Sequence, residues 1–160
     1  MSPPSDIPST QNGMERPSFE SFDAKIATAM TDPRFDGANG LTDYLGLRIV
    51  EVTPGRATAE VEVRPELLQA FGAVHGGVVA VMVDQVLGAA VFPLVPRGTW
   101  PATLEFKLNY LAAVREGTIR ATGEVITMRQ RTAVVQVEVT NDDRPVALAQ
   151  GTLSLHPPKT

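Results

Sequence analysis

From Arg56 to Val63 the chain alternates, with Ala57, Ala59, Val61 and Val63 set against Arg56, Thr58, Glu60 and Glu62. A period of two predicts a strand with one dry face and one wet face. The same alternation returns further on. Leu104, Phe106, Leu108 and Tyr110 oppose Thr103, Glu105, Lys107 and Asn109, and Ile119, Ala121, Gly123 and Val125 oppose Arg120, Thr122 and Glu124. Ala133, Val135, Val137 and Val139 follow, then Ala147, Ala149, Gly151, Leu153 and Leu155. The polar turns from Met128 to Arg131 and from Asn141 to Arg144 are too short for a crossover helix, so the sheet is expected to be largely antiparallel.

One segment inside this series has helical periodicity instead. From Gly76 to about Phe92, Val79, Met82, Val83, Val86 and Ala90 form one face, and Val78, Val81 and Leu87 widen it. An almost wholly apolar helix is expected to be surrounded. Five or six antiparallel strands with one dry face, together with one such helix, predict an α+β fold in which the sheet wraps around a long central helix. Ahead of it, residues 1–17 are rich in Pro and Ser and are expected to be a disordered tail. Residues 18–40 are expected to hold a short helix, Ser18 to Met30, and a Gly/Asp-rich connector. The domain proper is expected over 41–156.

Composition narrows the function. A chain of 160 residues fits one core, and a net charge of −4 without a basic run gives no reason to expect nucleic acid as a partner. The absence of cysteine removes thiolate nucleophiles and Cys-ligated metals. The N-terminus does not read as a secretory signal. The apolar stretch Val78 to Val95 is broken by Asp84, Gln85, Gly88 and Pro93, which predicts a core helix rather than a membrane span and a cytoplasmic protein. With His75 and His156 the only histidines, no metal is expected.

The candidate chemistry gathers between Gln69 and Asp84. Gly72 and the His75-Gly76-Gly77 turn precede the helix, and its first N–H groups lack intrahelical acceptors, so the turn suits an oxyanion, with Gly77 beside it for substrate. Asp84 is a carboxylate on an apolar helix with no Lys, Arg or His three or four positions away, and Gly77, Ala80 and Gly88 share its stripe. The alternative for the glycines is a simple loop-to-helix turn; for Asp84 it is a tie to loop amides or to an interface. From Gly76 to Asp84 the helix rises roughly 12 Å at about 1.5 Å per residue, too far for both to act on one carbonyl. A two-fold pair of chains with antiparallel helices would join the turn of one to Asp84 of the other.

At these residues the chain resembles the hotdog-fold thioesterases, in particular the phenylacetate-pathway (PaaI-like) branch. The resemblance spans about Leu41 to Leu155. It rests on Gly72-x-x-His75-Gly76-Gly77, on Asp84 nine positions after the histidine, on Lys107-Leu108-Asn109-Tyr110-Leu111, on Gly117, and on Val146 to Gly151. The resemblance implies an acyl-CoA thioesterase that needs no cofactor, CoA being part of the substrate. It implies a homodimer, often a homotetramer, with sites between subunits. By position Gly76 would donate its N–H to the thioester carbonyl, the partner's Asp84 would be general base or nucleophile, and Thr103 would help hold the water. His75 would orient the turn or touch the thioester. Gln69 stands where the family usually has Asn, and Ala112-Ala113 replaces a commoner basic-proline step. The loop Phe92 to Pro101, with Trp100, could shape an acyl pocket, and Arg97, Lys107, Arg129 and Arg131 are candidate contacts for CoA phosphates. A non-catalytic acyl-CoA-binding or regulatory protein is the other reading; a dehydratase fits the Asp/His spacing poorly.

Overall fold

The computed structural model describes residues 10–11, 14–15, 17–19, 21–32 and 40–158. Strands β1 (Thr10–Gln11) and β2 (Met14–Glu15) pair with each other, and most of the expected tail and of the expected connector lies outside the described residues. Helix α1 (Ala24–Met30) starts later than the helix expected from Ser18. The cause is Asp23, whose carboxylate accepts from the N–H groups of Lys25 at 2.9 Å and Ile26 at 3.2 Å and so caps the helix there. Upstream, the Ser21 hydroxyl donates to the Leu94 carbonyl, and Phe19 and Phe22 pack against the core from non-helical backbone.

After α1 come α2 (Leu41–Leu45), β3 (Arg48–Thr53), β4 (Arg56–Glu62), α3 (Gly76–Val91), β5 (Trp100–Tyr110), β6 (Thr118–Met128), β7 (Thr132–Asn141) and β8 (Arg144–His156). The last six strands form one sheet in the order β3-β4-β6-β7-β8-β5, antiparallel at every step. Asp142 and Asp143, both at positive φ, make the tight β7–β8 turn. Helix α2 and strand β3 were not foreseen in the periodicity. A bulge between Ile49 and Glu51 breaks the alternation of β3, and its place at the sheet edge leaves only Ile49 buried.

Helix α3 packs across the sheet, mainly against β4, β5, β6 and β7, as expected of a hotdog fold. Met82, Val83, Val86 and Leu87 are fully buried, each contributing about 1.5–3 kcal/mol. A Cβ on Gly123 of β6 would stand 3.0 Å from the Val86 carbonyl oxygen, so a glycine there sets how closely the helix approaches. The segment Gly76–Leu94 is apolar and long enough to cross a membrane by composition, and here it forms the core helix.

One expectation for α3 needs correction. The helix is not enclosed on all sides, and Asp84 is exposed rather than buried. The sheet covers only one side, so Gly77 and Asp84 are open and Ala80, Val81, Gln85 and Gly88 only partly covered. The desolvation argument for Asp84 therefore does not hold within a single chain.

Candidate active site

The site is built where the loop after β4 enters α3. The His75 N–H donates to the Leu67 carbonyl and the Val74 N–H to the Val114 carbonyl, both at 2.8 Å, which fixes the loop against a 3-10 turn at Pro65–Leu67 and against the segment after β5. His75 then caps the helix, because its Nδ1 accepts from the Gly77 N–H at 2.9 Å. With Nδ1 accepting, the neutral ring carries its proton on Nε2. The Val78 N–H bonds the His75 carbonyl at 2.9 Å. Among the described residues, the Gly76 N–H has no acceptor.

Tyr110, at the end of β5, locks this turn from the other side. Its hydroxyl donates to the Gly76 carbonyl at 2.8 Å, and a Cβ on Gly76 would lie 2.8 Å from that hydroxyl oxygen. Only glycine leaves the tyrosine in place, and the Gly76 N–H stays without an acceptor among the described residues. The helix dipole reinforces the donor, since partial positive charge gathers at this end of α3.

The other expected site residues divide into two sets. Gly72, at positive φ, sits in the preceding turn, where the Arg115 guanidinium donates to its carbonyl at 3.1 Å. Gln69 turns its side-chain oxygen back onto the Phe71 N–H, and its own N–H bonds the Ala73 carbonyl at 2.8 Å. Thus Gln69, Gly72, His75, Gly76 and Gly77 belong to one loop. Asp84 lies roughly 12 Å along the helix from Gly76. Thr103 lies on β5 well before Tyr110, roughly 23 Å along a strand at about 3.3 Å per residue. Asp84 and Thr103 are therefore not brought to the Gly76 of their own chain.

Tyr110 and Arg115 are the residues at this loop to which the sequence alone gives no role. Tyr110 was visible as the end of an alternating strand, whereas no pattern marked Arg115. Beside His75 and Gly77 opens a groove of about 310 Å³. A larger cleft of about 1010 Å³ lies by Leu94–Pro96, beyond the far end of α3, and is lined by Arg129 and Arg131. Among the described residues no three His, Cys, Asp or Glu side chains are grouped to hold a metal.

Comparison with known proteins identifies the family. Residues 71–148, from Phe71 through β5 to β7 and into β8, match the Thioesterase superfamily. The 1,4-dihydroxy-2-naphthoyl-CoA hydrolase of Listeria monocytogenes is 30% identical over 103 residues, covering 64% of this chain and 84% of that protein. The chain belongs to the thioesterase superfamily. Human acyl-coenzyme A thioesterase 13 is 27% identical over 111 residues, covering 69% of this thioesterase and 79% of the human protein. A conserved protein of Pseudomonas aeruginosa superposes with a TM-score of 0.72 at 29% identity, over 77% of this chain and 98% of its own. The phenylacetic acid degradation protein PaaI of Thermus thermophilus gives 0.66 at 27% identity, over 71% and 96%.

Proposed function

We propose that this thioesterase hydrolyses an acyl-CoA to the free acid and CoA at sites completed by two copies of the chain. The carrying observation is the Gly76 N–H, held without an acceptor at the positive end of α3 by the His75 cap and the Tyr110 hydroxyl. A thioester carbonyl accepting from it would be polarised, and the donor would strengthen its hold as the oxygen becomes an oxyanion. Asp84 of a second copy would then take the proton from attacking water, or attack the carbonyl itself. Thr103 would help hold that water, and CoA would leave as its thiolate. A thioester is activated enough for a carboxylate to suffice, so no cofactor takes part in this reading.

Two observations favour the paired chains. Asp84 is exposed on a stripe where nothing lies within 4 Å of a Cβ added at Gly88, leaving room for another helix. Among the described residues strand β5 pairs only with β8, and Trp100, Leu104 and Tyr110 along it and Leu111 just after it are exposed, an edge that a second sheet would cover. The proposed assembly is a homodimer, with a dimer of dimers as its extension, in the cytoplasm. Gly72 and Gly77 would let the substrate come close to the backbone, and Gln69 would keep the loop in shape. The relatives named for hydrolysing CoA thioesters support this substrate class. Free thiol release from a panel of acyl-CoAs, for wild type beside Asp84→Ala, tests the proposal. Turnover lost in the variant supports it; binding without thiol release by the wild type would instead indicate an acyl-CoA-binding or regulatory protein.

A further inference from the structure

We infer that the groove between α2 and α3 receives the acyl group and restricts it to a compact, uncharged, apolar one, an aromatic ring or a chain of a few carbons. This inference rests on the thioester-hydrolase reading and names the substrate class of the same site.

Position is the first argument. The groove is lined by His75 and Gly77, the residues on either side of Gly76, so a carbonyl accepting from the free Gly76 N–H would stand next to it. Its walls are Leu41, Tyr44 and Leu45 of α2, Leu67 of the 3-10 turn, and Val78 and Val81 of α3. Such a lining suits hydrocarbon. Size is the second argument. About 310 Å³ lies at the small end for ligand cavities, and from Gly77 to Val81 the α3 wall runs only about 6 Å. A long chain would project beyond it.

The wall is also fixed in place rather than an accident of a loose surface. The Arg64 guanidinium donates to the carbonyls of Leu45, at 2.9 Å, and Tyr44, which ties the end of α2 to the segment before the 3-10 turn. Leu45 is buried beneath, while Leu41 and Tyr44 of the same short helix remain 58% and 68% exposed. Two large side chains thus stand uncovered in the groove that His75 and Gly77 also line. Glu66 also lines the groove but is exposed and paired with Arg64 at 3.5 Å, and no Lys or Arg stands among the lining residues, so an acyl group carrying its own negative charge would lose hydration there without gaining a partner.

Turnover and binding together test this. Hydrolysis of acetyl-, benzoyl-, dodecanoyl- and succinyl-CoA is compared for wild type, Val81→Phe, which fills the groove, and Tyr44→Ala, which opens it at an exposed position. Benzoyl-CoA should be the best of the four for wild type. In Val81→Phe the benzoyl-to-acetyl ratio of kcat/KM should fall by about tenfold or more, and in Tyr44→Ala the dodecanoyl-to-benzoyl ratio should rise severalfold. Binding of S-benzyl-CoA, a thioether that cannot be hydrolysed, is measured beside CoA by calorimetry. Its benzyl group should improve affinity for wild type by about tenfold, and Val81→Phe should abolish that gain. Unchanged ratios in both variants, or a wild-type preference for dodecanoyl- or succinyl-CoA, would overturn the inference. Equal weakening of CoA and S-benzyl-CoA by Val81→Phe would place the pantetheine arm in the groove and overturn it too. A change in subunit assembly with unchanged ratios would assign the groove to a second copy. If wild type hydrolyses nothing yet the benzyl gain appears and is lost in Val81→Phe, the hydrolase reading fails while the groove assignment stands.

Discussion

At the first turn of α3 the Gly77 N–H is held by the His75 ring, the Val78 N–H by the His75 carbonyl, and the Gly76 N–H by nothing among the described residues. Replacing Gly76 with Ala would set a methyl 2.8 Å from the Tyr110 oxygen, so either the tyrosine or the turn must move. The expected loss in kcat is on the order of a hundredfold, the scale of losing one oxyanion donor. Tyr110→Phe removes only the hydroxyl that pins the turn and should lower kcat by several-fold, as expected for one neutral hydrogen bond of about 1 kcal/mol. Asp84→Ala should abolish thiol release yet leave the thermal midpoint of a dissociated chain nearly unchanged, because an exposed side chain without a bonded partner among the described residues contributes within about 0.5 kcal/mol. Calorimetric melting beside an assay of released CoA checks both halves. The glycine turn and Asp84 were legible as residues because few other groups in the chain can do acyl-transfer chemistry. The exposure of Asp84 was not, because periodicity says that a helix is apolar without saying how far a sheet reaches around it.

At the scale of elements, five of the six strands in the main sheet and the long helix could be read from alternation and helical spacing. Strand β3 escaped because its bulge spaces the two core-facing residues, Ile49 and Val52, three positions apart and so breaks the period of two, and α2 because five residues are too few to establish a period. The closeness of α3 to the sheet depends on Gly123. Gly123→Ala should cost about 1–3 kcal/mol in urea unfolding, since the added methyl meets backbone that cannot swing aside. Asp23 gives a pH-dependent prediction for α1. Hydrogen bonds from the Ile26 and Lys25 amides, with Arg97 nearby, outweigh desolvation and hold its carboxyl below the ordinary value of 3.8. A carboxyl lowered by folding stabilises the protein fully above its unfolded value and loses that contribution as pH falls through the lower, folded one. The difference in urea midpoint between wild type and Asp23→Ala should therefore be constant near neutral pH and shrink below about pH 4.

For the whole molecule, the separation of the proposed site residues into two regions is what the proposed pairing of chains would overcome. His75, Gly76 and Tyr110 meet at the start of α3, while Asp84 stands roughly 12 Å along it and Thr103 further back on β5. The sequence spacing already implied that separation, through nothing more than the rise of a helix. The open stripe of α3 and the uncovered edge of β5 became visible only once the sheet order was known. The most direct test is subunit complementation. Asp84→Ala and Gly76→Val chains, each inactive alone, are unfolded together, refolded at equal concentration and assayed for thiol release. Random pairing in a two-fold dimer leaves one intact site in half of the dimers, so about a quarter of wild-type activity should return. Activity no higher than the sum of the two separate variants, with mixed dimers verified by mass spectrometry, would contradict a site shared between chains.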